Sequence, residues 1–175
     1  MKNIVATLSL LFATTLSAQV AIGKSSISSP AVSLEFYDNA DNTRGIILPW
    51  VTSTAAVTGA VNGTLVYNTA DRKVYVKYAS GWRDLSVDNT GTVTTTLQDS
   101  LTDQDTAKVL IGGDPSTDTT PGILVLADTN KAMVLPKVAS PHLNIVNPSP
   151  GMIVYDTTKK QLAVFNGTVW SFWKP

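Results

Sequence analysis

The stretch GTLVYNTADRKVYVKYASGW, Gly63 to Trp82, returns eighty-eight residues later as GMIVYDTTKKQLAVFNGTVW, Gly151 to Trp170. The copies align over twenty residues without a gap, and Gly, Val, Tyr, Thr, Val and Trp recur at 63/151, 66/154, 67/155, 69/157, 76/164 and 82/170. Each reads as hairpins in series. Residues 64–67 form a short apolar run, 68–72 a polar turn, 73–78 a second run, and Trp82 opens a third after Ala79-Ser-Gly81. Short runs of Val and Tyr bounded by Asn, Asp, Ser and Gly predict strands and turns. Asn166-Gly167 in the second copy is a strong hairpin signal, because both residues tolerate positive φ.

Alternation along the middle strand predicts the buried face. Val74 and Val76 share one side and Lys73, Tyr75 and Lys77 the other; in the second copy Leu162 and Val164 face Gln161, Ala163 and Phe165. The first side stays aliphatic while the second varies, so Val74, Val76, Leu162 and Val164 are the predicted core. Tyr67, Tyr155, Trp82 and Trp170 are expected to close its ends with large apolar area. Outside the hairpins the match is looser. Arg44 to Val51 aligns with Lys131 to Val138, Ala21-Ile-Gly23 with Leu110-Ile-Gly112, and Ser29-Pro30 with Thr120-Pro121. The chain thus divides into a first β repeat over 19–87, a Thr/Asp-rich spacer over 88–108 and a second β repeat over 109–175. The expected class is all-β, two tandem repeats of short strands and hairpins. One repeat of this size buries little apolar surface, so packing on a neighbour, in the same chain or another, is expected.

Residues 1–18 read differently. Lys2, the uncharged apolar run Ile4–Leu16 and the small pair Ser17-Ala18 predict a cleaved signal peptide, too short for a comfortable membrane span. No later run approaches spanning length. The expectation is export, to the extracellular space, the outer cell surface or the periplasm. With no cysteine, stability cannot come from disulfides. Charge is balanced, 13 Lys and Arg against 13 Asp and Glu, which argues against nucleic acid as a partner.

Chemistry-bearing patterns are sparse. His142 is the single histidine and Glu35 the single glutamate, so neither a zinc site nor a glutamate pair for glycoside hydrolysis can be built. No phosphate loop or dinucleotide fingerprint occurs. The clusters Asp38–Asn42 and Asp103–Asp105 lack the spacing of an EF-hand and read as turns. No cofactor and no catalysis are expected. Trp50 and Trp173 have no counterpart in the other copy, and with Tyr75 they are the candidate ligand contacts, as flat rings suited to sugars. Ser100 and Thr106, each preceded by Asp, are candidate O-glycosylation sites.

The order of pieces resembles a known family. Ala21-Ile-Gly23, Ser29-Pro30, Arg44-Gly-Ile-Ile-Leu-Pro49, Gly63 to Thr69 and Trp82, then Leu110-Ile-Gly112, Thr120-Pro121, Lys131 to Pro136, Gly151 to Thr157 and Asn166-Gly167 to Trp170, are similar to the tail-fibre-like repeat of secreted bacterial cell-surface proteins. That resemblance implies a non-catalytic fibre or stalk module, displayed outside the cell, structural or adhesive, and trimeric. It departs from the family in the bland segments Thr52–Val61 and Ala139–Asn147, and in Trp50 where a basic residue is common. The implied partners are other copies of the chain, with surface glycans or other cell-surface proteins as possible targets. The second reading is a carbohydrate-binding module using its exposed Trp and Tyr.

Overall fold

The turns decide where the chain doubles back. In the computed structural model, which describes residues 19–102, 104 and 106–174, Arg72 and Lys160 both take positive φ, at the same place in the two copies of the repeated turn. Just ahead of each turn a buried polar side chain caps it: Asn68 Oδ1 accepts from Ala70 N–H at 3.0 Å, and Asp156 Oδ1 accepts from Thr158 N–H at 2.9 Å. The segment 1–18, read as a signal peptide, lies outside the described residues, as do Asp103, Asp105 and Pro175.

Among the described residues fourteen short strands follow in order. They are β1 Val20–Ile22, β2 Val32–Phe36, β3 Ile46–Ile47, β4 Trp50–Val51, β5 Leu65–Asn68, β6 Lys73–Tyr78 and β7 Gly81–Asp84 in the first repeat. The second repeat holds β8 Val109–Ile111, β9 Leu124–Leu126, β10 Ala132–Val134, β11 Lys137–Val138, β12 Met152–Asp156, β13 Gln161–Phe165 and β14 Trp170–Trp173. A 3₁₀ turn at Thr54–Ala56 in one repeat stands where the four-residue helix α1, Pro141–Asn144, stands in the other. The described residues are otherwise all-β. No described helix is long and apolar enough to cross a membrane.

The duplication is structural as well as sequential. In each repeat the first two strands pair in parallel, β1 with β2 and β8 with β9. In each, a two-residue strand runs parallel to the hairpin, β4 on β5 with Trp50 opposite Tyr67 and β11 on β12 with Lys137 opposite Tyr155. The antiparallel meanders β5-β6-β7 and β12-β13-β14 then complete each sheet.

Two apolar clusters hold the fold. The larger joins the repeats: Leu48, Tyr67, Val74 and Leu85 from the first meet Ile153 and Val164 from the second, with Val76, Leu162, Trp50 and Trp173 packed around them. The smaller belongs to the second repeat alone, Val138, Ile145, Met152, Val154, Ala163 and Phe165 under Trp170. The varied face of β13 is therefore buried too, which the comparison of copies does not suggest. Each fully buried aliphatic side chain here contributes about 1.5–3 kcal/mol.

Candidate functional site: the seam between the repeats

The most constructed surface in the protein is the one the two repeats make with each other. Strand β3 of the first repeat adds antiparallel to β12 of the second, Met152 opposite Ile47 and Ile153 opposite Ile46. Leu48 N–H continues the ladder to Gly151 O at 3.0 Å. In the opposite direction, β10 of the second repeat adds parallel to β2 of the first, Met133 opposite Leu34. Each repeat thus lends a strand to the other, but to different partners.

Glycine makes the first exchange possible. A Cβ on Gly45, beside β3, would stand 2.5 Å from Val154 Cγ1 and 2.7 Å from Met152 Cγ. On Gly151 it would stand 2.7 Å from Tyr67 Cβ, and that residue also holds a φ of +79°. Both contacts are too close for any side chain.

Aromatic hydrogen bonds pin the seam. The fully buried Tyr67 donates its hydroxyl to Asn166 O at 2.8 Å, and burial pushes its pKa up to about 12, so it stays a donor at any physiological pH. Trp50 lies 6.0 Å from the Tyr67 ring and donates its indole N–H to Pro150 O at 2.9 Å. Trp173 donates to Leu85 O at 2.6 Å, with the Arg83 guanidinium over its ring at 5.4 Å. The two tryptophans without counterparts are thus both half-buried where the repeats meet. Tyr75, the third candidate ligand contact, is half-buried on β6 and donates to Asp71 at 2.6 Å.

Polar groups extend the seam at its margins. Asp38 takes Lys24 at 3.1 Å from its own repeat and Lys137 at 3.2 Å from the other, and these two ammonium groups hold its carboxyl below the usual range. Asn42, buried beside it, donates to Lys137 O at 3.0 Å. The cluster Asp38–Asn42 is a tie between repeats. Lys24 also pairs with the buried Glu35 at 3.0 Å. The end of the first repeat and the start of the spacer are drawn in as well: the Ser171 hydroxyl donates to Ser86 O, Asn166 Nδ2 donates to Asp88 Oδ1 at 3.2 Å, and Thr92 donates to Gly167 O at 3.0 Å.

Among the expected packing residues, Tyr67, Val74 and Val164 are buried and Val76, Leu162, Trp82 and Trp170 half-buried, while Tyr155 is exposed. Trp170 packs on Phe165 at 5.2 Å between ring centroids. Ser100 and Thr106 are both exposed. His142 on α1 is exposed and meets the Phe172 ring edge-on at 5.7 Å. Among the described residues no three His, Asp or Glu side chains gather as a metal site. A cleft of about 560 Å³ opens beside the seam, with Phe36, Tyr37, Asn42, Arg44 and Pro136 in its wall.

One buried charge makes the second repeat acid-sensitive. Burial pushes the Asp156 carboxyl up, but N–H groups of Lys159, Ser140 and Thr158 and the Gln161 amide outweigh it and hold the group below the usual carboxylate range. A folded pKa below the unfolded one gives stability that is present above the unfolded value and is lost as pH falls below about 4 through the folded value. Asn68 fills the same place in the first repeat, so the site accepts an amide. Asp156→Asn is expected to fold normally and to flatten the acid loss, read as urea midpoints at neutral and acid pH. An unchanged pH profile would show that Asp156 is not the group responsible.

Residues 114–174, which carry β9 to β14, match the family described as phage tail like trimerisation region. No curated protein and no solved structure matches the chain. The part of the chain that the family covers is the repeat whose hairpin edge receives β3, so from Asp114 to Lys174 the protein is similar to a segment whose description is assembly.

Proposed function

We propose that this protein is a structural module of a tail-fibre-like assembly, exported from the cell, and that it works by associating into a homotrimer. The observation that carries this reading is the match of residues 114–174 to a phage tail like trimerisation region. The all-β build of short strands, which gain stability by lending edges to neighbours, supports it. Its role is mechanical: to set length and spacing and to hold chains together, with no reaction to catalyse. Display at the outer surface, and adhesion to glycans or surface proteins there, extend the same proposal and draw on the leader-like segment 1–18.

Light scattering of residues 19–175 after size exclusion tests the core of it. Three times the chain mass is expected, without any added ligand. A single-chain mass at tens of micromolar would overturn the trimeric reading. Protease treatment of intact producing cells tests the surface reading separately, since only a displayed protein is cleaved.

A further inference from the structure

The contact between the repeats is heterologous: what the first repeat presents is not what the second presents back. From the first come β3, Leu48 N–H, Tyr67 and the open side of β2. From the second come the edge at Gly151–Ile153 and the strand β10. Because the repeats share one architecture, each must also carry the half-surface that the other uses. Those second halves are unoccupied within the chain.

Five comparisons of equivalent positions show it. Tyr67 is 0% exposed and Tyr155 36%. Leu34 on β2 is 1% exposed and its counterpart on β9, Leu124, 47%. Gly151 is crowded by Tyr67 and Trp50, whereas a Cβ on Gly63 would meet nothing within 4 Å. Met152 and Ile153 are buried, and Thr64 and Leu65 half-buried. Finally, Leu48 N–H reaches Gly151 O, while Leu135 N–H and Gly63 O have no backbone partner among the described residues.

We propose that a second copy of this chain fills these halves by repeating the same contact. Strand β10 of one chain pairs antiparallel with the Thr64–Leu65 edge of the next, Val134 opposite Thr64 and Met133 opposite Leu65, and Leu135 N–H donates to Gly63 O. In the same seam β3 of the next chain runs parallel to β9, Ile46 opposite Leu124, and Tyr155 covers Gly63. Of the two contacts that demand Gly45, the exchange relieves one. Where Gly45 faces the long Met152 within the chain, Ala132 faces the shorter Thr64 between chains. Val66 keeps the place of Val154, which a Cβ on Gly45 would meet at 2.5 Å, so β10 with its Ala132 must stand further from its edge than β3 does. A heterologous contact repeated between identical chains either closes into a ring or runs on as a filament, and the match to a trimerisation region favours closure at three chains.

This inference rests on the oligomeric reading above, and its test separates the two. The chain has no cysteine, so engineered pairs report without background. Facing residues on antiparallel strands stand about 4.5–5.5 Å apart at Cα, within disulfide range. Leu65→Cys and Met133→Cys are made in separate chains, checked for unchanged solution mass and thermal melting, mixed, refolded and oxidised. A two-chain covalent product from the mixture, and from neither variant alone, is expected. With both substitutions in one chain, species of up to three linked chains should form, whereas Ile46→Cys with Ile153→Cys should link only within a chain. A three-chain mass with no Leu65–Met133 product, or with Leu65 linking instead to Ile46→Cys of another chain, would overturn the seam and leave the trimer standing. A one-chain mass would overturn both. Should a variant fail to fold, hydrogen exchange on the unaltered protein decides: the Leu135 amide is expected to be protected, and fast exchange in the oligomer would defeat the seam.

Discussion

Tyr67→Ala is expected to destabilise the protein by about 4 kcal/mol, a fall in melting temperature of about 8–16 °C. Tyr155→Ala, at the same place in the other repeat, is expected to cost about 0.5 kcal/mol within a single chain. The difference is environmental. Tyr67 is fully enclosed by both repeats, and its hydroxyl holds Asn166 O at 2.8 Å. Truncation leaves a ring-sized cavity in the apolar cluster that joins the repeats, together with a buried carbonyl that has lost its donor. Tyr155 faces outward on β12. Its removal is expected to appear instead as a weaker oligomer, with a mass that falls on dilution. Thermal melting of the two variants side by side is the measurement. Equal shifts would mean that the repeats do not depend on each other in the way the packing requires.

The second large effect is at Gly151. Gly151→Ala combines two penalties: a left-handed φ of +79°, worth about 1 kcal/mol for a residue with a Cβ, and a Cβ 2.7 Å from Tyr67, which adds about 1–3 kcal/mol of overpacking. Gly63→Ala isolates the first penalty, since φ is +90° there but nothing lies within 4 Å. A loss of about 3 kcal/mol against about 1 kcal/mol is expected in denaturant unfolding at concentrations where the chain is dissociated. If both glycines give the same loss, the crowding at Gly151 contributes nothing and Tyr67 does not pack on Gly151 as described.

Local signals account for what could be read in advance. The hairpins at 65–84 and 152–173 were legible because alternation and turn chemistry act over a few residues: Val74 and Val164 point inward as their period of two requires, and Asn68 and Asp156 cap the turns ahead of them. What escaped is non-local. Strands of two or three residues such as β3 and β10 have no periodicity to detect, and their partners lie about a hundred positions away. The unmatched tryptophans show why the seam was hidden. Absence of a counterpart for Trp50 and Trp173 suggests contact with something outside, yet both donate across the junction, to Pro150 O and Leu85 O. An asymmetric contact gives equivalent positions different neighbours, so it uses residues that differ between copies, Trp50 and Trp173, beside residues that do not, Tyr67 and Gly151. The buried second face of β13 was missed for a related reason, since Ala163 and Phe165 differ in size from Tyr75 and Lys77 but are covered by Trp170 and the segment around α1.

The strand exchange also sets the order in which the chain can mature. Tyr67 finds its acceptor 99 positions later and Trp50 100, while Leu85 O meets its donor, Trp173, 88 positions later. Contacts of such long sequence separation bear their loop-closure entropy before they return any stability, which slows folding relative to a helical protein of equal length. A ribosome that has delivered the first repeat has delivered β2 and the Leu48–Tyr67 cluster without their covers, so the last hairpin completes both repeats together. The N-terminal half is then a partner in waiting until the final turn of synthesis.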